Sequence, residues 1–401
     1  MVDRPNYLSE LISFKDKDLI KIVTGIRRCG KSTLFDLYIE YLLKHGVTND
    51  QIIRINLEDY EFNNITTNNS LYEYIAPKLV CDKMNYIFID EVQVVPNFQK
   101  ACDSLYIKKN VDLYITGSNS KLLSGELATL LSGRYVEIKM LPLSFKEYIS
   151  CVGKTDIQKK YIDYITKSSF PYTLKLNNSK DIRMYLDGLY NTVIVNDIAE
   201  RREISDIGML KDIIKFMFDN IGNLCSSNSI ANTMVSNGRK ISVPTVEKYL
   251  EALTEAFVLY KATRYDIKGK NYLTTGSKYY LSDVGLRYYL LGSKNVDEGR
   301  ILENVVYLEL IRRGYNVYIG KTDESEVDFV AINEKGEEYY QVSYTVKDKK
   351  TLERELKSLD SINDHNPKYL LTTDYTPYTS HNGIKQINVF DWLLDKWFIL
   401  I

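Results

Sequence analysis

Gly25-Ile26-Arg27-Arg28-Cys29-Gly30-Lys31-Ser32-Thr33 is the stretch on which the reading of this chain turns. Residues 25–32 fit G-x-x-x-x-G-K-[ST] without a mismatch. Glycines let a backbone curl until several N–H groups point inward at phosphate oxygens. The positive end of a following helix adds to that field. The flanks suit both demands. Residues 19–24, Leu-Ile-Lys-Ile-Val-Thr, form a short strand pattern, and residues 32–44 place Leu34, Phe35, Tyr38, Tyr41 and Leu42 at helical spacing. Lys44 and Gly46 suit the end of that helix. All nine residues from Gly25 to Thr33 are expected to bind nucleotide. Lys31 would reach the β- and γ-phosphates, and the Ser32 hydroxyl would ligate Mg²⁺.

Further strand patterns occupy 51–57, 86–90, 112–116 and 136–141. Strands separated by helices imply a parallel sheet with helices on both faces, an α/β fold. Tyr86-Ile-Phe-Ile-Asp90-Glu91 ends an apolar strand in two carboxylates. Asp90 is expected to hold the metal, and Glu91 to act as general base on the attacking water. An adjacent Asp-Glu pair points to hydrolysis rather than transfer to a small acceptor. Thr116, Ser118 and Asn119 end another buried-type strand, where Asn119 would orient water or touch the γ-phosphate. Arg27, Arg28 and Arg134 are the candidate extra cations for charge developing on that phosphate.

Composition narrows the class. The chain has 401 residues, more than one core usually holds, with 44% hydrophobic and 26% charged residues and a net charge of −1. That balance is not one of a general nucleic-acid coat. Five scattered cysteines and three histidines give neither a disulfide framework nor zinc-ligand spacing. With no apolar run near the ~18 residues of a membrane span, a cytoplasmic protein without membrane contact is expected.

Beyond the first 145 residues the pattern changes. Residues 146–206 read as a helical extension. Residues 207–297 carry three helix patterns (209–221, 229–235 and 245–256) and two strands, 258–265 and 278–281, around a loop at 266–277. That is the order of a winged helix. Its hairpin has Lys261, Arg264, Lys268, Lys270 and Lys278 among Tyr260, Tyr265, Tyr272, Tyr279 and Tyr280. Basic residues with aromatics between them can track a DNA backbone. Lys261, Arg264, Lys268 and Lys270 are the candidate DNA contacts. Residues 298–401 form a third α/β unit.

The Gly25–Thr33 loop, Asp90-Glu-Val-Gln93, Thr116-Gly-Ser-Asn119, Ser132-Gly-Arg134 and Leu141-Pro-Leu-Ser-Phe145 occur in one order. Together they resemble the AAA-type P-loop ATPases of archaea and bacteria that carry a C-terminal domain of unknown function. The resemblance extends to Glu303-Asn-Val-Val-Tyr-Leu-Glu-Leu310 and Glu326-Val-Asp-Phe329. It implies ATP and Mg²⁺ as cofactors, ATP hydrolysis as the reaction, and a homo-oligomer or other protein partner in which an arginine, best matched by Arg134, completes a neighbour's site. A complete hydrolytic site fused to two further modules is expected to move them with nucleotide state, on DNA or a protein. An ATP-gated DNA binder is the alternative. Glu303, Asp328 and Gln341 resemble the acidic set of the PD-(D/E)XK nuclease fold. Its acid-x-lysine tripeptide is here Gln341-Val-Ser343, so the set reads as vestigial. A metal-dependent nuclease is the further alternative.

Overall fold

The structure is a computed structural model and describes residues 2–120, 133–293, 297–323, 325–376 and 379–396. The chain divides into two compact units, Met1–Pro142 with Glu255–Phe257, and Leu143–Thr254 with Val258–Ile401.

The first unit is built on five parallel strands: β1 (Ile20–Thr24), β2 (Ile52–Asn56), β3 (Asn85–Asp90), β4 (Val111–Gly117) and β5 (Tyr135–Lys139). Their order is β2-β3-β4-β1-β5. This is the parallel α/β sheet of a P-loop NTPase. Every residue of β1 and β3 is buried, as strands covered on both faces must be. The helix Lys31–Lys44 follows β1 and buries Leu34, Phe35, Tyr38 and Leu42. Phe35 meets Phe88 edge-on, ring centroids 5.2 Å apart, and Tyr38 leans on Tyr114 at 5.1 Å. A hydrogen bond of 2.9 Å joins the two tyrosine hydroxyls. These aromatics fix the helix that starts the phosphate loop against β3 and β4.

One ion pair lies inside this sheet. Lys21 Nζ donates to Asp112 Oδ1 at 2.5 Å and to the Lys17 carbonyl at 2.7 Å. Both side chains are essentially inaccessible. Asp112 Oδ2 accepts from the Asp16 N–H and the Tyr114 hydroxyl, so each carboxylate oxygen is used.

The second unit is helical over Phe145–Val152, Ile157–Lys167 and Ser179–Gly188. Helices Ile207–Asp219, Ser227–Ser236 and Val243–Glu255 follow, in the expected order, and then a hairpin of β6 (Leu259–Asp266) and β7 (Asn271–Leu281). The turn is shorter than the sequence pattern suggests. Residues 271–277, expected in a loop, belong to β7 because their backbone pairs with β6 or bulges beside it.

The hairpin is not a free wing. It ends an eight-stranded sheet with β8 (Asn316–Lys321), β9 (Glu326–Asn333), β10 (Gly336–Ser343), β11 (Lys368–Thr372), β12 (Thr379–His381) and β13 (Ile384–Asn388). The order is β12-β13-β11-β10-β9-β8-β6-β7. Arg264, Tyr265 and Asp266 pair in parallel with Ile319, Gly320 and Lys321. A boundary at residue 297 therefore cuts through a continuous sheet. No helix among the described residues is long and apolar enough to cross a membrane.

The Lys21–Asp112 pair gives a stability prediction. Asp112→Leu strands a buried ammonium and is expected to cost about 3–5 kcal/mol in urea unfolding. Adding Lys21→Met should recover part of that loss. A double variant no more stable than the single one would show that the pair is not what is lost.

Candidate functional site

The phosphate loop leaves β1 at Thr24. Gly25 has φ 151°, and a Cβ there would stand 2.1 Å from the Met140 carbonyl oxygen, so no other residue fits. Gly30 has φ 108° and caps the helix that begins at Lys31. Arg28 also adopts a left-handed backbone, φ 68°, and its side chain is exposed. Ser32 faces solvent on the first turn of the helix, with Thr33 half-buried beside it. Ile26 and Cys29 are buried, and burial pushes the Cys29 thiol above its usual range.

Lys31 is buried and points back into its own loop. Its ammonium donates to the Gly25 carbonyl at 3.0 Å and to the Ile26 carbonyl at 3.5 Å. Glu91 Oε1 stands 3.4 Å away. β4 lies between the loop strand β1 and β3, so its end joins the two. Thr116 Oγ1 donates to Asp90 Oδ1 at 2.8 Å and accepts the Glu91 N–H at 3.0 Å. Glu91 sits at φ 51°, a conformation that costs a non-glycine residue on the order of 1 kcal/mol. The turn aims its carboxylate back at Lys31. Gln93 Nε2 holds Glu91 Oε2 at 2.5 Å and reaches Ser118 Oγ at 3.4 Å.

Asp90 is fully buried. Its Oδ2 receives no hydrogen bond but stands 2.5 Å from Arg54 Nη2 as an ion pair. Arg54, from β2, also comes within 3.4 Å of the Ser32 carbonyl and 3.5 Å of Asp36. Its guanidinium thus bridges the two residues expected at the metal. A buried carboxylate oxygen without a donor, an exposed serine hydroxyl and a cradle that admits only glycine fit a magnesium nucleotide.

Arg134 needs correction, and the fold places Arg27 and Asn119 as well. β1 and β5 run parallel with Ile20 opposite Tyr135 and Thr24 opposite Lys139. Arg134 therefore lies at the edge of the sheet away from the loop, where it pairs with Asp103 at 3.4 Å. It cannot sense a phosphate in its own chain. Leu131 and Ser132 of its motif lie outside the described residues. Arg27 turns to Glu58, 2.8 Å away. Asn119 is half-buried just past β4, two residues from the Gly117 that ends the strand.

Three residues had no role in the sequence reading. Arg54 sits in a strand pattern that gives no hint of Asp90. Gln93 was visible only as part of a motif. Arg4 is buried and donates to the Cys29 carbonyl at 3.1 Å and the Leu141 carbonyl at 2.6 Å, clamping the loop from the helix Pro5–Ser13 side. Its guanidinium lies over the Tyr7 ring, and the Tyr7 hydroxyl accepts the Leu141 N–H.

In the second unit the hairpin cations part company. Lys261, Lys268 and Lys270 are exposed, Lys268 against Asp323 at 2.7 Å, and Arg264 is half-buried. Lys278 is buried. Tyr265, Tyr279 and Tyr280 are buried as well, so they are core residues and not a stacking surface. Tyr272 is exposed beside the Tyr318 ring.

Lys278 leads to the nuclease-like set. Its ammonium lies 2.8 Å from Glu326, 3.1 Å from Glu303 and 3.9 Å from Asp328. Burial disfavours its charge, but these carboxylates outweigh that and raise its pKa. Burial and Glu303 push the Asp328 carboxyl well above its usual range, against the pull of Lys278. Tyr280 donates to Glu303 at 2.6 Å, and the Val342 N–H to Asp328 Oδ2 at 2.8 Å. Gln341 accepts from the Asp328 N–H and Ser358 and donates to Glu355.

The Glu91 environment sets a pH prediction. Burial pushes its carboxyl up, but Lys31, the Gln93 amide, Arg27 and Ser118 outweigh that and hold it below the usual range. Stability from a depressed carboxyl is present above the unfolded value, about 4.3, and is lost as pH falls through the folded one. The unfolding free-energy gap between wild type and Glu91→Gln should therefore shrink as pH drops below about 4.3. A gap constant down to acid unfolding would contradict the Lys31–Glu91 pairing.

The AAA domain family matches residues 17–149, a domain of unknown function (DUF8612) matches 158–297, and a second (DUF4143) matches 298–392. An uncharacterized protein of Haemophilus influenzae is 40% identical over 98% of this chain and 99% of its own. Another, of Methanocaldococcus jannaschii, is 33% identical over 85% of this chain and 78% of its own. Among solved structures, a Walker-type ATPase of Pyrococcus abyssi is 17% identical, with a TM-score of 0.49, covering 72% of this chain and 96% of that one. The chain belongs with the Haemophilus and Methanocaldococcus proteins to the family in which an AAA-type P-loop domain is followed by two domains of unknown function.

Proposed function

We propose that the protein binds ATP with Mg²⁺ and hydrolyses it, and that the cycle drives a change in the C-terminal unit. The observation that carries this reading is the Glu91 carboxylate 3.4 Å from Lys31, with Thr116 bonded to the neighbouring Asp90 carboxylate and to the Glu91 N–H. Lys31 would exchange its loop carbonyls and Glu91 for the β- and γ-phosphates. Ser32 and Asp90 would hold Mg²⁺, with Arg54 released from Asp90. The ion would neutralise charge on the β- and γ-phosphate oxygens. Glu91, freed from Lys31 and still oriented by Gln93, would take a proton from the attacking water. Arg4 keeps the loop in shape throughout. Arg134 would serve only at the site of a neighbouring copy.

Lys31→Ala is expected to abolish ATP binding, and Glu91→Gln to retain binding while lowering turnover by about 10²-fold or more. Isothermal titration with ATP and a phosphate-release assay separate the two effects. Unchanged turnover in Glu91→Gln would remove that residue from the chemistry.

A second reading, that DNA is the partner, rests on the exposed Lys261, Lys268 and Lys270 with Tyr272 on one hairpin. Lys268→Glu with Lys270→Glu should weaken DNA binding and flatten its salt dependence. A binding isotherm identical to that of wild type would take the hairpin out of a DNA interface.

A further inference from the structure

We propose that Lys278 is the resident cation of the acidic centre in the second unit, and that this centre consequently takes no divalent metal. The centre is assembled from three elements. Glu303 comes from the helix Glu298–Arg312, Glu326 and Asp328 from one face of β9, and Lys278 from β7. Lys278 and Tyr280 alternate along β7 and so share the face that meets Glu303. Between the pairs Thr263–Ser277 and Arg264–Leu273, residues 274–276 of β7 have no counterpart on β6. This irregularity marks where the hairpin departs from regular pairing, ending two residues before Lys278.

A divalent ion in such a fold needs carboxylate oxygens that are free to converge. Here one oxygen of each is already committed to an internal donor. Glu303 Oε1 takes both Tyr280 and Lys278. Asp328 Oδ2 takes the Val342 N–H. Glu326 Oε1 takes Lys278 at 2.8 Å. Gln341 stands where an acid would help, and its amide is used on both sides, accepting from Asp328 N and Ser358 and donating to Glu355. Among the described residues no three acidic, histidine or cysteine side chains are arranged to hold a metal. The ammonium is also tethered, so a metal would have to displace a cation that cannot diffuse away. A buried lysine is tolerated only with such partners, and a buried acidic cluster only with such a cation. The lysine that Ser343 fails to supply is therefore present from another strand, but as a counter-ion of the acids rather than beside a metal. On this proposal the centre is an internally neutralised scaffold, not a phosphodiesterase. The inference is independent of the ATPase reading.

Binding of Mn²⁺ to the nucleotide-free full chain, followed by electron paramagnetic resonance and calorimetry, tests this. Wild type and Asp328→Asn should bind Mn²⁺ identically. Lys278→Met should gain about one further bound ion, which Asp328→Asn in the same chain should remove. Mn²⁺ should raise the Tm of Lys278→Met but leave the wild-type Tm unchanged. Asp328-dependent Mn²⁺ binding in wild type would overturn the proposal, and that comparison stands even if Lys278→Met does not fold. A folded Lys278→Met that gains no ion would also overturn it, as would Mg²⁺-dependent DNA cutting by wild type that Asp328→Asn abolishes.

Discussion

A charge removed from water has to meet an opposite charge, and this constraint recurs at each place where the molecule does something specific. Lys21 and Asp112 meet within the first sheet. Lys31 meets Glu91, and Arg54 meets Asp90, at the mouth of that sheet. Lys278 meets Glu303, Glu326 and Asp328 in the second unit. The first pair stays closed because nothing reaches it. The pairs at the loop lie beside an exposed Ser32.

The order of the first sheet converts that constraint into a site. Placing β4 between β1 and β3 puts Thr116 within reach of both Asp90 and Glu91. A strand inserted at that point lets one hydroxyl bond the Asp90 carboxylate and the Glu91 backbone N–H. The left-handed turn at Glu91 completes the geometry by returning the carboxylate toward Lys31.

Local signals carried the first unit well. The loop, its flanking strand and helix, and the strand ending in Asp90-Glu91 are contiguous in sequence, and their chemistry depends on spacing. Arg54, Arg4 and Lys278 were illegible for the opposite reason. Each acts on a partner at least 25 residues away, through a sheet register or a loop closure that no local pattern encodes. The hairpin was legible in part: Lys261, Lys268 and Lys270 are exposed, but Tyr265, Tyr279 and Tyr280 belong to the core. Alternation of lysine and tyrosine looks the same whether the tyrosines face solvent or core, and partners outside the hairpin decide it, as where Tyr280 stacks on Tyr307 and bonds Glu303. Arg134 lies away from its own chain's loop, because parallel strands put the start of β5 at the far end, which leaves a neighbour's site as its expected role.

The Arg4 clamp changes what counts as the phosphate loop. Two carbonyls, one from Cys29 inside the loop and one from Leu141 beyond β5, are gathered by a guanidinium that precedes both. The loop's curvature is thus a property of three chain segments and not of a nine-residue cassette. Transplanting residues 25–33 into another strand-helix frame would carry the motif but leave behind part of its shape, and a change near the amino terminus would be felt as a change in nucleotide affinity.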